Sequence, residues 1–410
     1  MPESKELVFL SKRCKYSICK SETIESYLEN DINLKNQEGK CIEKFEFDKI
    51  IMLEVNNFIN PFDNIVVLAG AGASIVLGEN GEPNKNYGHT VNMISEDIKN
   101  ELNNNDFYSI QELAEFCKYK LTVNNHEKED EFSYNLEDLL SKIITYEEFI
   151  DDNKGIDPEK YKKSKNKILE IIRRKTSYSY NKEIHEHGSF IKKLSNLHKS
   201  PNRLTIATTN YDTLFEEAAS SLNFTVFDGF SFDYNPVFDI DLFDWSLVKP
   251  ILNVKSEKMQ FKKSTINLLK IHGSLTWEEK DDNIVRVSKD ENINPIMIFP
   301  SSNKYTHSYE KPYFELFSKF QEYIKKPNTL LITAGFSFAD NHISKMITQA
   351  IKTTPSLTVL ITDHSIDSEN KCNNWKELEI LMRNGYRIAF LRGTIDGKLA
   401  DYFGDRSDDN

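Results

Sequence analysis

Short polar segments follow four predicted buried strands of this chain, and their residue types could carry proton transfer. The segments are Thr209-Asn210-Tyr211-Asp212, His272-Gly273-Ser274, Gly335-Phe336-Ser337 and the single residue Asp363. A neutral imidazole at His272 can accept a proton at neutral pH, and an amide at Asn210 can hold a water molecule or a hydroxyl group. Asp212 can orient that amide or stabilise a positive charge. Because the carboxyl ends of parallel strands meet at one edge of a sheet, we expect one shared site there.

Each of these residues also has a purely structural explanation. Asp212 or Thr213 could cap the next helix, with Thr213 and Glu216 spaced as a capping box, His272 could be a hydrogen-bonded strand-end histidine, Ser337 a turn hydroxyl and Asp340 an N-cap. For a single residue the structural explanation is the simpler one. Four strand ends facing one crevice favour a site.

Residues 64–78 combine a predicted strand with a glycine-rich turn. The apolar run at 65–68 is typical of a buried parallel strand. Gly70 and Gly72 lack Cβ atoms, so the backbone can turn sharply and a phosphate can approach its N–H groups. A helix predicted to begin near Ser74 would place its positive end at that phosphate.

This turn matches a dinucleotide-binding turn in outline only. The third glycine of G-x-G-x-x-G would stand at position 75, which is Ile75, and an acidic ribose partner is offered only loosely by Glu96 or Asp97. A tight turn without a ligand is therefore an alternative. If the turn does bind phosphate, Gly72→Val should block the approach.

Strands alternate with helices after Pro201, which predicts the fold class. The predicted strands are Leu204–Thr208, 268–271, Thr329–Ala334, 357–362 and 387–391, with helices at 213–222 and 340–351. This rhythm predicts an α/β fold with a Rossmann-like, mostly parallel sheet and helices on both faces.

Two other segments complete the predicted domain organisation. Residues 1–60, with a strand at 7–10 and an amphipathic stretch at 45–58, form an N-terminal extension that either braces the main domain or makes an oligomer contact. The main domain covers residues 61–405. Helical periods between about 88 and 200 predict an all-helical insertion in it.

Composition restricts the class of protein. The 410 residues carry a formal net charge of −12, which argues against a broad electrostatic grip on DNA or RNA, so no direct nucleic acid binding is expected. The five cysteines are scattered without a C-x-x-C pair, so neither a structural zinc site nor a disulfide framework is expected. No apolar run approaches about 18 residues, so we expect a cytoplasmic protein without membrane association.

An ordered set of motifs resembles the sirtuin-like NAD-binding domain. The set comprises Gly70-Ala71-Gly72-Ala73-Ser74 with Gly78 four residues on, Thr209-Asn210-Tyr211-Asp212, His272-Gly273 and Gly335-Phe336-Ser337-Phe338-Ala339-Asp340-Asn341-His342-Ile343. The last motif is similar to a turn of the bacterial branch of that family, and Asn135-Leu136-Glu137-Asp138-Leu139-Leu140-Ser141 resembles a helix start seen there. The resemblance covers about residues 62–395.

Two departures indicate which branch the chain resembles. Deacylase sirtuins carry a zinc ribbon of two cysteine pairs, whereas this chain has no cysteine between Cys117 and Cys372. They also follow the glycine turn with an Ile-Pro-Asp-Phe-Arg loop, where this chain has Glu79-Asn80-Gly81-Glu82-Pro83. What is left resembles the sirtuin-like effector domains of bacterial anti-phage defence systems, which hydrolyse NAD.

This resemblance implies NAD as the substrate, no metal, and a set of roles. Asn210, His272 and Asp212 would be catalytic, with Asn210 an exposed strand-end amide. The binding residues would be Gly70, Ala71, Gly72, Ser74, Thr209, Gly335, Ser337 and Asp363. Among these, the first glycine turn and Ser337 would carry the pyrophosphate, and Asp363 would accept the adenosine ribose hydroxyls.

The leading functional hypothesis is therefore an NAD glycohydrolase that depletes NAD in anti-phage defence. The alternatives are an NAD-dependent protein deacylase or ADP-ribosyl transferase, and a non-catalytic sensor of NAD or an ADP-ribose derivative. The sequence has no G-x-x-x-x-G-K-[ST] phosphate loop and no second recognisable effector domain. We therefore expect control through homo-oligomerisation or through a partner such as the HerA-type ATPase of some relatives.

Overall fold

The computed structural model describes residues 4–20, 25–59, 62–78, 82–84, 86–123, 132–152, 155–197, 202–251, 259–292, 294–297, 312–369, 371–397 and 399–404. Its strands are β1 (Ser4–Ser11), β2 (Lys15–Lys20), β3 (Glu25–Glu29), β4 (Ile32–Asn33), β5 (Asn64–Ala69), β6 (Thr122–Val123), β7 (Phe132–Ser133), β8 (Leu204–Thr208), β9 (Thr225–Phe227), β10 (Val248–Pro250), β11 (Met259–Phe261), β12 (Thr265–Lys270), β13 (Trp277–Lys280), β14 (Asn283–Arg286), β15 (Thr329–Ala334), β16 (Thr358–Asp363) and β17 (Ile388–Arg392).

The α-helices of the same residues are α1 (Lys44–Ile59), α2 (Val91–Glu101), α3 (Ile110–Phe116), α4 (Leu136–Tyr146), α5 (Pro158–Thr176), α6 (His187–Leu197), α7 (Leu214–Ser221), α8 (Tyr313–Lys325), α9 (Asn341–Thr353) and α10 (Asn373–Arg383). Short 3₁₀ helices lie at Ala71–Ser74, Glu147–Asp152, Ile240–Asp244, Ile395–Gly397 and Leu399–Tyr402. Within the described ranges, no helix has the length and apolar character needed to cross a membrane.

Eleven of the described strands form one sheet with a parallel centre. Their order is β4-β3-β2-β1-β17-β16-β15-β5-β8-β12-β9. Every neighbouring pair from β17 to β9 is parallel, whereas β1 joins β17 antiparallel and continues into a meander with β2, β3 and β4. The prediction of an α/β, mostly parallel Rossmann-like sheet is confirmed, and the N-terminal strands extend that sheet.

Helices cover both faces of this sheet because its central strands send alternate side chains to opposite sides. In β5, Val67 and Ala69 enter one core, whereas Val66 and Leu68 enter the other. The first core contains side chains of α1, α6 and α7, and the second contains side chains of α8, α9 and α10. Burial on both faces explains why β5 is almost uniformly apolar.

The chain between β5 and β8 builds a third core, with two differences from the all-helical insertion that the sequence predicts. Helices α2 to α5 pack together around residues such as Ile98, Leu140 and Ile171. The first difference is the two-residue ladder between β6 and β7. The second is α6, which packs against the main sheet through Phe190 and Leu194. The separate helical core therefore ends with α5.

Predicted and observed elements agree best for the central strands. Leu204–Thr208 and Thr329–Ala334 have the predicted bounds. The helix predicted near Ser74 is wrong, because a 3₁₀ turn ends there and Ile75 is extended at φ −93° and ψ 119°. The chain then forms a β-bridge between Leu77 and Pro83. No α-helix dipole of this segment points at the glycine turn.

The glycine turns after β5 and β15 touch each other through their backbones. These strands are neighbours, while the chain runs on from β5 to β8 on the other side, so the strand order reverses between β5 and β15. A Cβ atom on Gly72 would lie 2.8 Å from Gly335 Cα, and one on Gly335 would lie 2.4 Å from the Gly72 carbonyl carbon. Glycine is required here because any side chain would push the two turns apart.

We expect Gly335→Ala to destabilise the protein by more than its backbone conformation alone explains. Gly39 is the matched control, because both glycines have positive φ (+59° and +80°) but a Cβ on Gly39 would meet open space. Gly39→Ala should cost about 1–2 kcal/mol. Gly335→Ala should cost more, since it also separates two packed turns. Urea unfolding measures both losses, and equal losses would show that the turns do not constrain each other.

Candidate functional site

The predicted strand-end residues lie along one edge of the sheet. Asp363 ends β16, and Gly335, Gly70, Asn210 and His272 follow β15, β5, β8 and β12. These five strands stand side by side in that order. Open α/β sheets bind ligands at the carboxyl ends of their strands, where the strand order reverses. The topology therefore brings the predicted residues to the expected binding edge.

A buried hydrogen-bond network joins the ends of β5 and β8. The Asn210 Nδ2 group donates to the Gly70 carbonyl at 2.9 Å and to the Ser74 hydroxyl at 2.7 Å. The Ser74 hydroxyl in turn donates to Asp212 Oδ2 at 2.6 Å. Asn210 is only 9% exposed, so the expectation of an exposed amide is wrong. Its side chain holds the glycine turn in place, because that turn offers a carbonyl and a hydroxyl.

Lys270 also contacts this network, and it was not among the residues predicted from the sequence. Its ammonium group donates to the Asp212 carbonyl and lies 3.2 Å from Glu216 Oε1. Lys270 is 2% exposed. Burial raises the pKa of Glu216, and the Lys270 charge offsets part of that rise. The available signal in the sequence was a lysine at the end of a mostly apolar strand.

The first turn of α7 is not capped as predicted. Thr213 occupies the N-cap position without a side-chain capping bond, and its hydroxyl donates to Glu217 Oε1 at 2.5 Å. The capping box with Glu216 is therefore wrong, because that carboxylate pairs with Lys270. Asp212 does contribute to the helix start, since its Oδ1 accepts from the Leu214 amide at 3.1 Å.

His272 lies beside a buried carboxylate from another strand end. Its Nε2 is 3.3 Å from Asp340 Oδ2, and the two side chains are 5% and 6% exposed. Asp340 is the N-cap of α9, where its other oxygen accepts from the amides of His342 and Ile343 at 2.8 and 3.2 Å. The cap fixes the carboxylate, and the carboxylate can orient the imidazole. The predicted N-cap role of Asp340 is confirmed, while its proximity to His272 was not predicted.

The glycine amides are occupied within the protein. Gly70 N donates to the Ala334 carbonyl at 3.0 Å, Gly72 N to the Gly335 carbonyl at 3.0 Å, and Ala73 N to the Gly70 carbonyl at 2.9 Å. Ala71 is the exposed residue at the tip of this turn. A valine at position 72 would meet Gly335 before it met a phosphate. Gly72→Val, which the sequence offered as a test of phosphate binding, would therefore disturb the contact between the two turns first.

Comparison with known families adds an independent observation. Residues 204–382 match the family model of the SIR2-like domain. No curated protein matches the chain. The matched residues run from the start of β8 into α10 and include Asn210, His272 and Asp340, whereas the glycine turn after β5 precedes them. The match supports a sirtuin-like domain with an NAD-related activity.

Within the matched SIR2-like region, Asp363 is engaged by two basic groups. It accepts from the ring Nδ1 of His364 at 2.5 Å and from Lys371 Nζ at 2.9 Å. Burial opposes ionisation of Asp363, but the His364 hydrogen bond and the Lys371 charge outweigh it and hold the pKa below its ordinary value. The end of β16 therefore carries an ionised carboxylate at neutral pH.

The other two predicted binding residues have simpler surroundings. Thr209 continues the β8 backbone, and its amide donates to the Ala69 carbonyl at 3.0 Å. Ser337 is exposed, and its hydroxyl accepts from the Ala339 amide at 3.4 Å. The turn-hydroxyl role considered for Ser337 is thus present in the structure.

Three ionisable side chains lie behind the glycine turn after β5, and none was predicted. His187 is fully buried beside the backbone of Ala73, and burial lowers its pKa to about 3. Its Nδ1 is 3.7 Å from Asp396 Oδ1, and its ring is 5.9 Å from that of His185. The pKa of Asp396 is raised to about 7, chiefly by burial; the hydrogen bond from the Glu186 amide opposes the rise, and the charges of Glu186 and Asp212 add to it.

A cavity of about 620 Å³ lies between α7 and the β13–β14 hairpin. Its wall contains three ion pairs: Lys270 with Glu216, Lys289 with Glu217 and Arg286 with Asp228. The first of these pairs also belongs to the network around Asp212.

No group of three or more His, Cys, Asp or Glu side chains in the described part of the chain could hold a metal ion.

We expect Asp396→Asn to gain stability relative to the wild type as the pH rises. A carboxyl group whose pKa is raised on folding makes its full contribution to stability when the pH is below its pKa in the unfolded chain, near 3.8. This contribution is lost as the pH rises through its pKa in the folded protein, about 7. The change should be about 1.4 kcal/mol per pH unit across that interval. Asn keeps the oxygen that accepts from the Glu186 amide at 2.7 Å but cannot ionise.

Melting temperatures measured across this pH interval test the expectation. His187, whose Nδ1 is 3.7 Å from Asp396 Oδ1, contributes with the opposite sign in the wild type, because its pKa falls on folding. The exposed Asp401 provides the control variant, Asp401→Asn, because the same substitution is made there at a solvent-facing site. A constant difference for Asp396→Asn would show that burial does not hinder its ionisation.

Proposed function

We propose that this protein is an NAD glycohydrolase, which cleaves NAD into ADP-ribose and nicotinamide. The observation that carries the proposal is the pairing of His272 with Asp340 at the strand end beside Asn210. A histidine oriented by a carboxylate is the usual arrangement of a general base. The match to a SIR2-like domain supports the choice of NAD.

The residues at this edge suit a dinucleotide in position and chemistry. Ala71 is exposed at the tip of the first turn, Ser337 is exposed after β15, and both flank the point where the strand order reverses. The amides of Gly70 and Gly72 stay with their carbonyl partners, so the pyrophosphate would contact the tip at Ala71 and the Ser337 turn. The adenosine ribose would lie toward Asp363.

The proposed reaction breaks the bond between the ribose C1′ and the nicotinamide nitrogen. The electron pair of that bond passes to the cationic ring, so nicotinamide leaves neutral and needs no general acid. The positive charge left on the ribose resembles that of a glycosidase transition state. Water adds to C1′ and gives a proton to His272, which passes it to solvent. Asp212 is joined to the Asn210 side chain through Ser74 and would supply negative charge near the ribose.

Incubation of the purified protein with NAD alone tests the proposal and separates the alternatives. Nicotinamide release without any acceptor is expected. Release only with an acylated peptide or an acceptor protein would indicate a deacylase or an ADP-ribosyl transferase. Binding without any release would indicate a sensor of NAD or an ADP-ribose derivative. Either of the last two results would overturn the proposal.

In the same assay, His272→Ala should bind NAD but lose about a hundred- to ten-thousandfold in turnover, the usual worth of one proton-transferring side chain. Wild-type turnover should fall in acid, because protonation removes the acceptor lone pair. Added imidazole should restore part of the lost rate, which a purely structural histidine would not allow. A folded variant with near-normal turnover would remove His272 from the mechanism.

Asp340→Asn should lower turnover by up to about 10⁴-fold, the loss that follows when the carboxylate that orients a catalytic histidine is replaced by an amide. Asparagine keeps an oxygen for the two capped amides but removes the charge near Nε2. The acid limb of the pH–rate profile should move to lower pH, because protonated His272 loses its carboxylate neighbour. Asp157→Asn is the matched control, since Asp157 caps α5 through two amides in the helical insertion. An equal loss of turnover in the two variants would show that Asp340 acts only as a helix cap.

The biological setting follows from the resemblance to anti-phage effectors and is also a proposal. An enzyme that depletes NAD in a bacterial cytoplasm must be restrained until infection. Homo-oligomerisation, or a partner such as a HerA-type ATPase, would supply that restraint. The substrate consumed is then the NAD pool of the infected cell.

A further inference from the structure

Exposed apolar side chains are concentrated at the two ends of the long sheet. The hairpin patch, which surrounds β10 and β11, consists of Trp245, Leu247, Val248, Ile251, Met259 and Phe261, each 37–66% exposed. At the other end of the sheet, Ile32 of β4 and Phe45 and Leu53 of α1 are each 63–72% exposed, with Lys49 Nζ lying 4.1 Å from the centre of the Phe45 ring; these three side chains are called the end patch. Apolar groups clustered in this way commonly mark protein–protein contacts.

The hairpin patch adjoins the β9 edge of the sheet. Strand β9 is the last in the strand order, and β12 is its neighbour. Lys262, one residue after β11, donates from Nζ to the Thr225 hydroxyl of β9 at 2.6 Å, and its amide donates to the Leu247 carbonyl at 2.9 Å. The first bond joins the hairpin to that edge and the second closes the hairpin, while its apolar side chains are exposed.

The end patch lies at the opposite edge. Helix α1 buries Phe47, Ile51 and Val55 in the first core, and the Phe47 ring stacks on Tyr27 of β3 at 4.8 Å. Phe45 and Leu53 are eight residues apart, so they share the other side of the helix. Ile32 belongs to β4, the first strand in the sheet order.

The two patches have opposite charge. The described hairpin residues 245–251 and 259–263 contain three lysines, Lys249, Lys262 and Lys263, and no acidic side chain, while the adjacent Asp244 pairs with Lys319. Residues 25–59 around the end patch contain eight acidic and four basic side chains, and one of these acids, Asp31, pairs with Lys5 and Lys15. A basic apolar surface therefore stands at one end of the sheet, and an acidic apolar surface stands at the other.

We propose that the hairpin patch of one copy of this chain binds the end patch of the next copy. The contact joins different surfaces, so a bound pair still presents one free hairpin patch and one free end patch, and repetition produces a closed ring or an open chain. Charge complementarity orients the two patches, and apolar burial stabilises the contact. This self-association specifies how the proposed homo-oligomer would form and does not depend on the NAD reaction.

Sedimentation velocity of the full chain tests the contact. The wild type should form species heavier than the 47.6 kDa monomer as its concentration rises, and high salt should weaken them. Trp245→Glu and Leu53→Lys should each remain monomeric, because each places a repelling charge in its patch. Ile380→Glu is the control: Ile380 is 57% exposed on α10, across the sheet from α1, so association should be unchanged. Met259→Glu replaces Trp245→Glu if the latter does not fold.

Mixing the two monomeric variants decides the geometry. The Trp245→Glu copy keeps its end patch and the Leu53→Lys copy keeps its hairpin patch, so an equimolar mixture should form dimers of twice 47.6 kDa and nothing larger. Association of Leu53→Lys by itself would show that hairpin patches bind each other, which overturns the proposal. A wild type that stays monomeric, leaving the patches to another partner, or a mixture without dimers would overturn it as well.

Discussion

The backbone contact between the turns after β5 and β15 is the constraint on which the candidate site depends. Gly72 and Gly335 approach within the space that one Cβ atom would fill, and the Gly72 amide donates to the Gly335 carbonyl at 3.0 Å. Because the first turn is held from one side by this contact, Asn210 can hold it from the other through the Gly70 carbonyl. The glycines therefore serve the packing of two strand ends before they serve any ligand.

Burial of polar groups is the second feature that shapes the site. Asn210, Asp212 and Lys270 lie in a region of low water access, where an unsatisfied polar group is costly. The short bonds among Asn210, Ser74 and Asp212 satisfy these groups mutually and fix their orientation. His272 obtains its neighbour differently, from the N-cap of α9. The site thus combines two groups of contacts, the Asn210–Ser74–Asp212 network and the His272–Asp340 pair.

The same sheet links this site to the ends of the molecule. The meander β1 to β4 continues the parallel sheet beyond β17, and β9 with its adjoining hairpin closes the other edge. Such a sheet has two different ends, and their exposed surfaces differ in charge. Assembly through the ends would leave the carboxyl edge of the central strands open to a ligand, because that edge runs across the middle of the sheet.

The sequence by itself determined the α/β class, the central strands and the residues at their carboxyl ends. It could do so because a strand buried on both faces must be apolar throughout, and a polar residue directly after such a strand is conspicuous. Leu204–Thr208 and Asn210 are examples. Local pattern also predicted the Asp340 cap, since an N-cap depends on the next three residues alone.

Only the tertiary structure decided which of these residues touch. Asp340 is 68 positions from His272, and Lys270 is 58 positions from Asp212, so no local pattern could pair them. The sequence suggested that Gly70 and Gly72 were open to phosphate. A missing Cβ, however, leaves room for a ligand and for a neighbouring backbone equally well. The order of strands in the sheet decides which of the two lies against the glycines, and that order depends on long-range packing.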